Sequence, residues 1–329
     1  MPYQHEKQVA IRAVTAAAQL CEQIRREQNA LAITKPDRSP VTIADFGAQA
    51  VICQALAAAF PHDPVVGEED SALLQRADMT ERLSQVANYV KNQISDANPE
   101  AVTAWIDRGN GKVAPRYWTL DPIDGTKGYL RGDQYAIALG LVEEGDLKLG
   151  IMGCPAIPVD PTQPDGERGV LFVGVRNQGT TVIPLAGGEP RQICVSNTSN
   201  GDAHRLVESV ESAHGNTSLQ QEVTRLLGFT APPLRMDSMV KYGVIAWGEA
   251  ALYLRLPSPL SSPKRQNIWD HAAGAIVLEE AGGRVTDMYG RRLDFSCGSK
   301  LVNNQGIIAS NGAIHEAVLA TVKQCIKAN

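Results

Sequence analysis

Two carboxylates three residues apart, Asp121 and Asp124, flank a proline in the stretch DPIDGT, with a glycine and a threonine directly after them. Acids at this spacing around a tight turn can converge on one point, and the Ile123 carbonyl between them adds a neutral oxygen. Hard oxygen donors of this kind suit Mg²⁺, which takes few carboxylates, keeps several waters and shares a phosphate. Gly125 and Thr126 are expected to open a helix whose free N–H groups favour a phosphate, with the Thr126 hydroxyl beside them. Three more acids sit where an apolar element meets a loop: Asp45 in VTIAD, Glu68 in VVGEED and Asp270 in IWDHAAG. A threonine is a poor base and needs a carboxylate to relay its proton, for which Asp45 is the candidate. The chemistry predicted is metal-assisted hydrolysis of a phosphate ester by in-line displacement.

Each acid also has a plainer use. Asp45, three residues after Thr42, completes a capping box. Asp270 can cap the helix beginning HAAG, and Glu68 in an acidic run can be a solvated charge. Asp, Pro and Gly are ordinary turn residues. The turn explanation, however, leaves Thr126 without a role and gives no reason for an apolar RYWTL strand to deliver the acids.

The elements that must position these residues read as two halves. Apolar positions at helical spacing predict one long helix over 6–32, broken by TKPDRSPVT, and a second over IADFGAQAVICQALAAAF, ended by Pro61. From Tyr117 the period becomes two, and strands with hairpins at EEGD and RNQG predict a largely antiparallel sheet. The first half is therefore α+β. Beyond AGGEPRQICVSN, short strands alternate with helices near 217–228, 239–248, 270–281 and 312–327, with Gly228 and Gly282 placed as helix-ending glycines. That pattern predicts a layered α/β unit. The expected division is a domain over 1–187 carrying most of the acids and one over 188–329 contributing Asp270, with an interface between them.

Composition bounds the partner. With 31 basic and 36 acidic residues in 329, the net charge of −5 gives no basic footprint for a nucleic acid polymer or an anionic membrane. An anionic substrate would then have to be drawn by bound metal. The six cysteines are scattered without a C-x-x-C pair, the N-terminus lacks a signal-peptide layout, and no apolar run approaches a membrane span. The chain reads as cytoplasmic, with small-molecule chemistry and no obligate protein partner. Neither G-x-G-x-x-G nor a G-K-[ST] phosphate loop is present.

DPIDGTKGYLRG, with GEED before it and WDHAAGAIVLEEAGG after it, resembles the inositol monophosphatase superfamily of Mg²⁺-dependent, lithium-sensitive phosphatases, most closely its 3′(2′),5′-bisphosphate nucleotidase branch. The resemblance runs from SPVTIADFGAQA to GIIASNG. It implies a layered α-β-α-β-α sandwich and Mg²⁺, roughly two or three ions, held by Glu68, Asp121, the Ile123 carbonyl, Asp124 and Asp270. It implies a water-activating pair in Asp45 and Thr126, with Glu69 as an acid behind the metals or on a third one. VESAHGNTS, MDSMVKYG and YLRLP resemble the branch's pocket segments, making His214, Ser238, Lys241 and Arg255 the implied contacts to a nucleotide and its 5′-phosphate. Met239 and Asn267 depart from the branch's pattern, which has a polar and a basic residue there. The implied substrate is adenosine 3′,5′-bisphosphate, cleaved to AMP and phosphate, and its sulfated form. An inositol phosphate or sugar bisphosphate is the alternative on the same metal site, and a non-catalytic phosphometabolite binder the reading from another class.

Overall fold

Alternation along the strands decides the layering. In the computed structural model, which describes residues 1–28, 32–35, 39–198, 204–210, 216–258, 260 and 265–328, Leu139, Leu141, Leu149, Ile151, Leu171 and Val173 enter one core. Their neighbours Ala138, Met152, Cys154, Val170 and Phe172 enter another on the opposite face. A sheet covered on both faces needs strands apolar on both sides, which is why these segments read as nearly continuous apolar runs.

That sheet has seven strands in the order β3 (Val65–Gly67), β4 (Arg116–Asp124), β5 (Ala136–Glu143), β6 (Asp146–Pro158), β7 (Arg168–Val175), β8 (Gly179–Pro184) and β9 (Arg191–Ile193). Only β3 and β4 pair in parallel. A short hairpin, β1 (Ile33–Thr34) with β2 (Pro40–Val41), precedes it. The turns at EEGD and RNQG fall between β5 and β6 and between β7 and β8, with Glu144, Gly145 and Asn177 at positive φ as short hairpin loops require.

One face is covered by α1 (Gln4–Arg26) and α2 (Ile43–Ala59), flanked by α3 (Thr80–Lys91) and α4 (Pro99–Asp107). The other carries α7 (Val240–Ala246) and α8 (Ala272–Glu280). These two helices also touch a second, three-stranded sheet, β12 (Leu252–Arg255), β14 (Ile307–Ser310) and β13 (Arg284–Thr286). A parallel pair, β10 (Val207–Glu208) and β11 (Leu234–Arg235), joins it through a bridge from Leu206 to Leu252. On its far side lie α6 (Thr217–Leu226) and α9 (His315–Ala328), whose Val223, Val318 and Val322 form the third core. The layers are thus α-β-α-β-α, as expected. The first helix is shorter than its predicted span, ending at Arg26.

One feature sets how close α8 can come. Gly140, Gly150 and Gly174 are paired across β5, β6 and β7. A Cβ on Gly150 would lie 2.4 Å from Ile276 Cγ2 and 2.7 Å from the Ala273 carbonyl, and one on Gly174 would lie 2.8 Å from Val277 Cα. The glycine row lets the helix backbone rest on the sheet and so fixes the segment just before it, which carries Asp270.

Candidate active site

Parallel pairing of β3 with β4 brings their C-terminal ends to one edge, where the Glu68 N–H donates to the Leu120 carbonyl at 3.1 Å. Glu68 and Asp121 are therefore neighbours although 53 residues separate them. The expected turn across DPID is not formed. Asp121, Ile123 and Asp124 lie on β4 itself, whose register against β5 shifts between Asp121 and Asp124. Such a bulge re-aims side chains at a strand end. α5 (Thr126–Arg131) begins directly after it, with Gly125 as its N-cap at φ 88°.

A cavity of about 450 Å³ opens at this edge. Glu68, Asp121, Ile123, Asp124 and Asp270 all line it, together with Gly125, Thr126, Ser238, Lys241 and Arg255. His214 lies outside the described residues. Asp45 stands behind Thr126: it is buried, and its Oδ1 is 3.4 Å from Thr126 Oγ1, which also lies 3.2 Å from the Ile123 carbonyl. The other oxygen, Oδ2, accepts the Thr42 N–H and hydroxyl at 2.8 and 2.7 Å, so the capping box exists as well. One carboxylate thus meets both Thr42 and Thr126. Asp270 is no helix cap, because the N-cap of α8 is His271 and its side chain makes no cap bond. Asp270 instead faces Arg255, Nη1 to Oδ2 3.8 Å.

The two walls of the cavity carry opposite charge. On the acidic wall, burial raises Asp121 well above the usual carboxylate range, and Glu68, Asp124 and Asp270 push it further. Burial, then Asp270, raises Asp124 to about 7, while Lys241 and the Met239 N–H bonded to it pull the other way. Asp45 is likewise raised to about 7 by burial, opposed by its bonds from Thr42. Oδ1 of Asp121 is buried and has no hydrogen-bond partner among the described residues. Glu69 is buried behind this wall, bonded to Lys35, which also lies 3.2 Å from Glu68.

The opposite wall is basic. Lys241 is buried rather than exposed on its helix, with Nζ 5.3 Å from the centre of the Tyr253 ring and 3.3 Å from the Met236 carbonyl. Burial lowers its ammonium to about 8. Tyr253 and Arg255 both line the cavity, two residues apart on β12, so strand alternation puts them on one face. Ser238, at φ 64°, holds the Val240 N–H through its hydroxyl and faces Gly125, where a Cβ would come within 3.0 Å of its own. Met239 meets Asp124 through its backbone, so the apolar side chain at that position does not disturb the contact.

Sequence reasoning passed over Tyr242, Tyr253, Lys35 and the ion pair between Arg131 and Asp237, the residue before Ser238. Tyr253 was within reach, since its position relative to Arg255 in YLRLP follows from period two. Gly274 of WDHAAG has a packing reason: a Cβ there would lie 2.5 Å from the Tyr242 ring.

No three His, Cys, Asp or Glu side chains among the described residues close into a metal cage. The residues nevertheless fit a hard cation, since mutually repelling buried carboxylates, one oxygen of them unpartnered, present only oxygen donors to one cavity.

Residues 3–327 match the model of the inositol monophosphatase family. The chain belongs to that family. It is 42% identical to a 3′(2′),5′-bisphosphate nucleotidase of Schizosaccharomyces pombe, with 97% of this chain and 95% of that one covered. It is 39% identical to a protein of the same name from Emericella nidulans, covering 99% and 100%. Among solved structures, the Thermotoga maritima inositol monophosphatase superposes with a TM-score of 0.67 at 20% identity, over 99% of each chain. An inositol monophosphatase from Anabaena does so with a TM-score of 0.65 at 22% identity, over 98% and 97%. These two agree in fold. No helix among the described residues is long and apolar enough to cross a membrane.

Proposed function

We propose that this chain is a 3′(2′),5′-bisphosphate nucleotidase: a Mg²⁺-dependent phosphomonoester hydrolase that takes the 3′-phosphate from adenosine 3′,5′-bisphosphate, leaving AMP, and acts on the sulfated form in the same way. The observation that carries the reading is the division of one cavity into an acidic wall and a basic wall, with a threonine-carboxylate pair at the acidic end. Relatives named for this activity, matched over nearly full length, support the choice of substrate.

Glu68, Asp121, Asp124, Asp270 and the Ile123 carbonyl would hold Mg²⁺. Bound there, Mg²⁺ makes hydroxide available near neutral pH and cancels charge on the phosphate and leaving oxygen. The remaining work falls to side chains. Thr126 is set between two acceptors and can take a proton from water while passing its own to Asp45 Oδ1. A carboxylate raised towards neutrality is suited to receive it. Lys241 and Arg255, with Ser238 against Gly125, would orient the distal 5′-phosphate through charged hydrogen bonds. The cytoplasm is the compartment this chemistry fits.

Phosphate release should be measured on adenosine 3′,5′-bisphosphate, inositol 1-phosphate, inositol 1,4-bisphosphate and fructose 1,6-bisphosphate, with Mg²⁺, with chelator, and with lithium added. The expected outcome is Mg²⁺-dependent preference for the nucleotide. Preference for an inositol or sugar phosphate would keep the acids in place and overturn the roles of Ser238, Lys241 and Arg255. No release on any substrate by protein that binds Mg²⁺ would make it a binding protein.

A further inference from the structure

At the same end of the large sheet, farther along it, the described residues border a second, open cavity of about 650 Å³. The register places it there: β4 ends where β5 starts, and the ends of β6 and β8 alternate with the start of β7. The catalytic cavity sits at β3 and β4, and this one at β6, β7 and β8, under α1. Gly132 at its rim closes α5, whose first residues line the catalytic cavity, so a single short helix borders both.

Three arginines line it, Arg25 and Arg26 from α1 and Arg168 from β7, against one acid, Glu22. Both oxygens of Glu22 are used within the chain. Oε2 accepts Arg25 Nη2 at 2.8 Å, and Oε1 accepts the buried Tyr135 hydroxyl at 2.7 Å. The Arg25 guanidinium lies 5.5 Å from the centre of the Tyr135 ring, which holds it in place. Its other terminal nitrogen, Nη1, is buried and has no hydrogen-bond partner among the described residues. Arg168 is braced by the Ala156 and Pro164 carbonyls at 2.8 and 2.7 Å.

We propose that this cavity is a second binding site, taking an organic phosphate. Three guanidinium charges less one carboxylate leave two positive charges, which a phosphate dianion matches. Pro155 and Leu185 give the cavity an apolar wall for the body of such a molecule. The site is separate from the proposed catalytic role and stands whether or not that role holds.

Binding stoichiometry separates the two. AMP, inorganic phosphate and adenosine are titrated calorimetrically into full-length protein in chelator, and into the double variant Arg26→Glu, Arg168→Glu. Both substituted residues are exposed and outside the catalytic cavity. The variant is expected to bind one AMP fewer than the wild type: one instead of two if the catalytic cavity also holds AMP, none instead of one if it does not. Arg25→Gln should weaken the same event about tenfold or more, inorganic phosphate should compete for it, and adenosine should not. Its phosphate-release activity should equal the wild type's in the double variant. Equal stoichiometry in wild type and double variant, or adenosine binding there as well as AMP, would overturn the site.

Discussion

Asp121 and Asp287 are both aspartates almost wholly removed from water, 2% and 0% exposed, yet their surroundings are opposite. Asp287, just after β13, has its oxygens filled by its own chain: Oδ1 accepts the Tyr289 and Arg291 N–H groups at 2.9 Å each, and Oδ2 the Asn304 amide at 3.4 Å. Asp121 has an oxygen with no such donor, and three further carboxylates raise its pKa. Burying a carboxylate is expensive unless donors or a cation meet its charge. The first aspartate is met by local turn geometry and serves the fold. Asp121 keeps one oxygen that no donor among the described residues meets, and that contrast is what fits it for a cation. Burial alone would have ranked the two alike.

The comparison breaks most easily at the acids. Asp121→Asn and Asp124→Asn should each lower Mg²⁺-dependent phosphate release by about a hundredfold or more. In chelator, neither should lower the melting temperature, and each should raise it slightly, because a buried repulsive charge is gone. A melting temperature that falls sharply with either change would make these aspartates structural.

The converse change is Asp287→Ala. It leaves two backbone N–H groups and an amide without their acceptor, at a cost of about 2–4 kcal/mol of stability. Activity per folded molecule should stay within about twofold, since none of those donors lines the catalytic cavity. Titrating Mg²⁺ into stripped protein sharpens the contrast. At a hundred times its dissociation constant a ligand adds about 2.7 kcal/mol, a gain Asp287→Ala should keep and Asp124→Asn should lose. Equal gains in both would disconnect the acidic wall from the metal.

What the sequence revealed follows the same physics. DPIDGT, GEED and WDHAAG were legible because acids at element ends are costly there without a use, and strands covered on both faces announce themselves as apolar runs. The T-x-x-D spacing was legible too, though spacing alone could not say that Asp45 both caps α2 and reaches Thr126. The bulge in β4 was not, because DPID carries turn residues and only pairing with β5 holds it extended. Nor was the row of Gly140, Gly150 and Gly174, since the reason for each is a helix far along the chain. Lys241 was implied as a pocket residue, but its burial was not legible, for a related reason: it comes from Tyr253 and Asp124, on other elements.

The smallest effect tests the comparison with histidines in place of aspartates. His271, beside Asp270, is wholly buried with Nδ1 2.8 Å from the Tyr242 hydroxyl and Nε2 unpartnered among the described residues. His315, equally buried, is bonded at both nitrogens: Nε2 to Thr286 Oγ1 at 2.9 Å and Nδ1 to Ser310 Oγ at 2.8 Å. The Thr286 hydroxyl donates to the Asp287 carbonyl, so it accepts from His315, which places the ring proton on Nε2 and leaves Nδ1 to accept from Ser310. Adding a proton at Nδ1 breaks that pattern, and burial, with Arg284 nearby, lowers the pKa to about 4 against the opposing Glu316. An unfolded histidine takes its proton near 6.5. Between these values the unfolded chain binds more protons, so this group's contribution is complete above pH 6.5 and is lost as pH falls towards 4. Its slope is at most about 1.4 kcal/mol per pH unit. Denaturant melts from pH 4 to 8 on wild type and His315→Asn should therefore converge as pH falls and run parallel above 6.5. Curves parallel throughout would mean that His315 takes its proton at the same pH in the folded and the unfolded chain, so that Nδ1 also donates and the bond with Ser310 runs the other way.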